Sequence, residues 1–432
     1  LDFPVGIERI NDYEFFEDNL ITQVVIPSSV KIIGLYSFFN CISLTKITIP
    51  SSVISIEECA FSGCISLKRI NILHSVQYIG CNAFKGCKNI EEITINPYQT
   101  KFEFNSFAEC DSLCHLLISS SVSNIKQFNF NRFGKIKQLD IPISVTTIEK
   151  LSFYNFLTLE KILIPPSVKR ISPSAFDGCK NLKEITIDPY IVKIEADTFS
   201  SCESLNHLII NASVTKIQKI NFNIFSKLTK ITIPNTVTAL DDNSFMGISS
   251  LKEIIIPNSV TSIGNGCFSK CISLDNVIIP NQITRINDYT FKECTSLSNI
   301  SIPESVIYIG CYCFSGCKSL NHIKYLNKIK TISKCSFENC TSLKQFAIPL
   351  SIQSIDEGAF SQCSFLEKIV IPPTVKVIPH KVFDGCVNLK EITIDPYQTK
   401  IDENTFSSCS SLTKLIIGSS VTKIEQFNFK LF

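Results

Sequence analysis

Tryptophan is absent from this 432-residue chain, methionine occurs once, at Met246, and only 15 residues are glycine. So little glycine argues against a loop-rich enzyme. An excess of charge of either sign is missing too. The 41 basic and 39 acidic side chains leave a formal net charge of +2, so no global field draws nucleic acid or an anionic membrane. Hydrophobic residues make up 44% of the chain, yet no apolar run approaches the ~18 residues of a membrane span. No secretory pattern opens the sequence, and its first residue is leucine. A native start upstream of Leu1, with any targeting segment, is therefore expected. There is no nucleophile elbow, Gly-rich phosphate loop, HExxH or paired zinc knuckle. No catalytic residue, cofactor or metal ligand can be named, and the expectation is a protein that is not an enzyme.

Cysteine, by contrast, is abundant and periodic. Thirteen of the 20 cysteines, from Cys41 to Cys409, are separated by multiples of 23 residues, in segments such as FSGCISL (61–67), FKECTSL (291–297) and FENCTSL (337–343). The same register passes through Phe133, Phe156, Phe225, Ile248 and Phe432. Cut from Val5, the chain gives 18 complete 23-residue units over 5–418, with partial units at both ends, and it is expected to form a single domain over 1–432.

Across units, position 3 is mostly Val or Ile, position 6 mostly Ile, position 11 always Phe, position 14 Cys or apolar, position 17 mostly Leu, positions 20 and 22 mostly Ile, and position 23 often Pro. Alternation at 19–22, as in TKITI (45–49), predicts a strand with 20 and 22 inward and 19 and 21 outward. Proline at 23 ends it. Positions 3–6 predict a second short extended piece. Inward residues three apart at 8–14 suit a helical or 3₁₀ turn. Each unit thus makes one coil of a β-rich solenoid, with a parallel sheet on one face and short extended and turn segments on the other. One coil buries too little to offset about 1–2 kcal/mol of backbone ordering per residue, so stacking is obligatory. The cysteines then form a line up the core as small, reduced packing residues. Disulfides are not expected, because side chains in a regular stack point the same way.

The pattern IPxSVxxIgxxAFxxCxxLxxIxIP resembles the BspA-like leucine-rich repeats, over essentially the whole chain. That resemblance implies a horseshoe-type leucine-rich repeat solenoid. It also implies cell-surface adhesion or binding of host matrix proteins, known for some members of a family found in anaerobic bacteria and expanded in protists. The Ile-, Asn- and Lys-rich composition is similar to that of the protist members. The sequence departs from the usual bacterial surface protein in showing no signal, stalk or anchor.

Position 21 points outward and is apolar at Ile209, Ile255 and Ile278, bridged by Thr232 and framed by His207, Lys230 and Glu253 at position 19. This stretch is the candidate partner surface. A longer repeat begins at ITINPYQTK (93–101), ITIDPYIVK (185–193) and ITIDPYQTK (392–400), and ends at FNFNRF (128–133), INFNIF (220–225) and FNFKLF (427–432). It offers a second candidate contact around Tyr98, Tyr190 and Tyr397. His115, His207 and His322 share position 19 but are separated by four or five coils, so they cannot share a metal and are expected to be solvated. Arg170, Lys193 and Lys216 stack on successive coils, and Glu195 stands where it can neutralise Lys193. Sequons at Asn211, Asn299 and Asn339 carry no weight.

The sequence therefore points to a non-enzymatic protein-binding scaffold at the cell surface or outside the cell. An intracellular adaptor is the alternative that a reduced core suits, and the targeting region of a larger enzyme is a third reading. The partner is a protein; nucleic acid and a membrane span are not expected. Phe3, Ile7, Ile10 and Phe15 keep the core pattern at one end, and Phe427, Phe429 and Phe432 at the other, so flanking chain or another molecule is expected to cover both ends.

Overall fold

The computed structural model describes residues 3–195, 197–219, 225, 227–324, 327–395, 399–402 and 405–418. They divide into two compact units, 1–206 and 207–432. Each unit is a parallel-strand solenoid whose register advances by 23 residues per coil. In the first unit His115 pairs with Gln138, Gln138 with Lys161 and Lys161 with Glu184. In the second, Lys230 pairs with Glu253 and Glu253 with Asn276.

The strand at positions 19–21 alternates exposed, buried, exposed, as at Lys46–Thr48 and Glu253–Ile255. Where position 23 is not proline the strand can gain a residue, as at Glu92–Ile95, His115–Ile118 and Glu391–Ile394. The cause is a backbone donor. Ser119 N–H bonds Ile95 C=O at 2.7 Å and Gly418 N–H bonds Ile394 C=O at 2.9 Å, a contact that proline cannot make. A two-residue ladder at positions 5–6, such as Ser55–Ile56 beside Tyr78–Ile79, forms the second extended piece.

The helical turn expected at 8–14 is corrected by the structure. Among the described residues the only helix is a 3₁₀ turn at Phe130–Phe133. Elsewhere positions 9 and 13 are left-handed, as at Tyr36 (φ 51°) and Asn40 (φ 53°), and this interrupts helical hydrogen bonding. In coils such as 51–73 the N–H groups of positions 9, 11 and 13 leave the coil and bond the next one: Cys59 to Cys81 C=O (3.0 Å), Phe61 to Ala83 C=O (2.8 Å) and Gly63 to Lys85 C=O (2.8 Å). The Phe130–Phe133 turn is the departure announced by FNFNRF; Asn129 caps it, its Oδ1 accepting from Asn131 N–H at 3.2 Å.

The position-11 phenylalanines stack along each core. Phe38, Phe61, Phe84 and Phe107 have centroids 5.1–5.2 Å apart, and Phe245 to Phe406 repeat the pattern in the second unit. The cysteine ladder is more than packing. Each of the thirteen ladder thiols donates to the carbonyl of the position-11 Phe one coil back, from Cys41 on Phe15 (3.0 Å) to Cys409 on Phe383 (3.6 Å). Cysteine combines an apolar body with a weak donor, which this position uses at once. Burial pushes the Cys271 and Cys363 thiols up to about 12.

Candidate functional site: a strand face in the second unit

Four paired strands of the second unit carry the candidate surface: His207–Ile210, Lys230–Thr232, Glu253–Ile255 and Asn276–Ile278. Their register puts His207, Lys230, Glu253 and Asn276 in one outward row, and Ile209, Thr232, Ile255 and Ile278 in the next. The structure thus brings all seven sequence-selected residues together. They are not equal. His207 and Thr232 are tied to each other through Nε2 and Oγ1 at 2.8 Å, and Ile209 is half-buried. Lys230 Nζ meets Glu253 Oε1 at 3.4 Å. The open apolar surface lies at Ile255, 50% exposed, and Ile278, 71% exposed.

Beyond Ile278 the row continues into a groove of about 360 Å³ lined by Asn276, Asn281, Asn299, Ser301, Pro303 and His322 among others. Sequence reasoning leaves these residues out of the candidate surface: it reads His322 as a solvated outward histidine, and the others give no apolar signal on the outward face. Asn276, Asn299 and His322 stand at position 19 and Ser301 at position 21, so the outward register would have found them. The groove offers amide, hydroxyl and imidazole groups beside an apolar side chain, with no carboxylate, lysine or arginine in its lining. Among the described residues no group of three His, Cys, Asp or Glu side chains is placed to hold a metal ion.

The tyrosine motif has a different character. Tyr98 is half-buried, and its hydroxyl donates to Lys126 C=O at 3.0 Å and accepts from Lys126 N–H at 2.8 Å. Burial raises its pKa. Tyr98 therefore joins two coils. Tyr190 is 37% exposed and keeps the same Asx turn, its N–H bonding Asp188 Oδ1 at 3.0 Å as Tyr98 N–H bonds Asn96 Oδ1 at 3.1 Å. Tyr397 lies outside the described residues.

The expectation of solvated histidines needs correction for His115. Its side chain is 24% exposed, with Nδ1 3.1 Å from Glu92 and Nε2 2.9 Å from Asp140. The two carboxylates face opposite ring nitrogens, so they bracket the ring and the cluster is not a metal cradle. The neutralisation of Lys193 is present: Glu195 meets Lys193 at 3.1 Å and Arg170 at 3.4 Å. No helix of the described residues is long and apolar enough to cross a membrane.

A model of the BspA type leucine rich repeat region matches residues 8–132, 100–226, 219–344 and 308–431. Among solved structures, a leucine-rich repeat protein from Bacteroides ovatus is 25% identical over 95% of this chain and 88% of its own, with a TM-score of 0.33. A leucine rich cell surface protein from Faecalibacterium prausnitzii is 26% identical over 67% of this chain and 93% of its own, with a TM-score of 0.35. The pneumococcal vaccine antigen PcpA is 18% identical over 92% of this chain and 79% of its own, with a TM-score of 0.30. No curated protein matches the chain.

Proposed function

Since the chain belongs to the BspA-type leucine-rich repeat family, a family of repeat scaffolds, we propose that it is a non-enzymatic protein-binding scaffold whose partner docks at Ile255 and Ile278, and that it serves adhesion at the cell surface. The observation that carries this reading is the exposure of those two isoleucines on adjacent paired strands (50% and 71%). Large apolar side chains side by side in water mark a surface that gains by being covered. The charge pair beside them is already spent within the sheet, Lys230 on Glu253. Recognition then rests on apolar contact and the amide and hydroxyl groups of the adjoining groove, with little dependence on salt.

The test is surface plasmon resonance over a panel of immobilised extracellular-matrix proteins, with the chain and its Ile255→Asp/Ile278→Asp variant. The expected result is retention on at least one matrix protein, weakened at least tenfold in the variant and little changed by added salt. Retention on none, or retention unaffected by the variant, overturns the reading. One observation favours the intracellular adaptor as a second reading. All thirteen ladder sulfurs act as S–H donors, which only the reduced thiol can do. Fractionation of the native source decides between surface and cytosol.

A further inference from the structure

Residues 159–190 and 366–397 are copies of one another, nine coils apart, and the residues before them, 143–158 and 350–365, share only the repeat consensus. LEKILIPPSVK (159–169) recurs as LEKIVIPPTVK (366–376), and FDGCKNLKEITIDPY (176–190) recurs as FDGCVNLKEITIDPY (383–397). Retention is uneven among exposed residues. On the turns away from the long strands, Arg170 faces Val377 in the other copy, Pro173 faces His380 and Lys180 faces Val387. On the strand face Glu160, Lys161, Lys183 and Glu184 recur as Glu367, Lys368, Lys390 and Glu391, while Asp140 is replaced by Ala347. Lys161–Glu184 (3.4 Å) has its counterpart in Lys368–Glu391 (3.8 Å), and Lys183–Glu160 (3.0 Å) in Lys390–Glu367 (3.7 Å).

Within this frame each copy, with the residues before it, exposes an apolar pair at the same two positions. Ile143 is 82% and Leu163 44% exposed; Leu350 is 73% and Val370 46% exposed. Leu163 pairs in register with Asp140, three residues before Ile143, and Val370 with Ala347, three residues before Leu350. The fold does not require the pair. The related block containing FKGCKNIEEITINPY (84–98) carries Ser51 and Asn71 at the two equivalent positions. Two copies, with the residues before them, have thus diverged freely on other exposed faces while keeping an apolar pair ringed by self-neutralised charges.

We infer that these faces are two copies of one binding site, which makes the chain bivalent. The partner that fits is a protein presenting the same apolar, uncharged segment more than once, as a homo-oligomer or polymer does. Apolar contact is what each face offers, because its lysines and glutamates are already paired. Repetition in the partner is what two equal sites on one chain exploit, since linked binding events exceed either affinity without any new contact.

The test uses the whole chain and a random peptide library. Peptides are selected on the wild type after depletion on the variant Ile143→Asp/Leu163→Asp/Leu350→Asp/Val370→Asp. A selected peptide is then titrated calorimetrically into the wild type, into Ile143→Asp/Leu163→Asp, and into Leu350→Asp/Val370→Asp. The expected result is two equivalents of peptide per wild-type chain with one dissociation constant, and one equivalent in either paired variant. Circular dichroism checks that the variants fold, and Ile143→Thr/Leu163→Thr with Leu350→Thr/Val370→Thr replaces any that do not. The inference is overturned if no peptide separates wild type from the fourfold variant, or if one equivalent binds the wild type. It is also overturned if sedimentation shows the wild type self-associating through these residues, which would make the occupant a second copy of the chain.

Discussion

Phe61→Ala probes the phenylalanine stack where it is most regular. Phe61 is fully buried, with ring centroids 5.1 Å from Phe38 and 5.2 Å from Phe84. Truncating a buried Phe costs about 3–5 kcal/mol, and the cost rises when the surroundings cannot close on the cavity. Here they cannot, because the coils on either side are held apart by backbone bonds at Cys59, Phe61 and Gly63. Two stacked ring pairs are lost as well, each worth about 0.5–1.5 kcal/mol. The expected destabilisation is about 5 kcal/mol, near the top of the range. Global denaturation reads it poorly, since a solenoid need not unfold as one unit. Native-state hydrogen exchange at the amides of Cys59, Phe61 and Gly63 reads it locally. A loss of about 5 kcal/mol accelerates their exchange by on the order of 10³–10⁴-fold at 1.4 kcal/mol per tenfold. Phe365→Ala, at a residue 55% exposed, is the control and should shift stability by less than about 0.5 kcal/mol. Acceleration below about tenfold in Phe61→Ala, or equal effects of both substitutions, would refute the claim that position 11 fills one invariant layer.

Four further outcomes are expected. In native protein at neutral pH, exposed Cys114 should react with a thiol reagent first, half-buried Cys81 and Cys311 slowly, and the ladder thiols not at all; ladder cysteines reacting as fast as Cys114 would contradict their burial. Because a ladder thiol such as Cys363 titrates near about 12 in the fold against 9.0 unfolded, its contribution is complete below pH 9 and is lost as pH rises toward 12, so the urea midpoint should fall across that window and a flat midpoint would count against it. Tyr98→Phe removes both hydrogen bonds to Lys126 and should cost about 1–3 kcal/mol, seen as faster exchange of the Lys126 amide; unchanged exchange would mean the hydroxyl does not join the coils. Gly264→Ala should lower Tm, by about 1–3 kcal/mol of overpacking, because a Cβ there falls 2.4 Å from Asp242 N and 2.5 Å from Asp241 C; an unchanged Tm would show that the neighbouring coil gives way.

The solenoid was legible because its evidence is arithmetic. A period of 23 with Ile at 20 and 22 fixes strand, face and register together, and the strand row from His207 to Asn276 lies where that arithmetic puts it. The turn at 8–14 was misread because inward spacing of three is shared by a helix and by a chain alternating right- and left-handed residues. The residues at Tyr36, Asn40 and Cys59 give no glycine signal for their positive φ. The thiol's hydrogen bond was hidden for another reason: replacement of cysteine by Phe133 or Phe156 reports volume and says nothing about a donor. At the candidate site, the isoleucines were found by hydrophobicity. Asn299, Ser301 and His322 were missed because polar residues on an outward face look ordinary until a groove collects them.

Where it forms, the ladder of positions 9, 11 and 13 is one-way: a coil hands three donors forward and receives on three carbonyls from behind, as Cys59, Phe61 and Gly63 do toward Cys81, Ala83 and Lys85. Plug and socket are therefore different surfaces, and a coil fits its neighbour in one sense only. A chain nicked between two coils of a unit still carries a plug on one piece and its socket on the other, so the pieces can rejoin in the original order and never back to front. The same asymmetry makes the whole coil the natural unit of editing. Coils can be added or removed by the number without any survivor changing the way it faces, whereas a single inserted residue would turn every outward side chain of its strand toward the core.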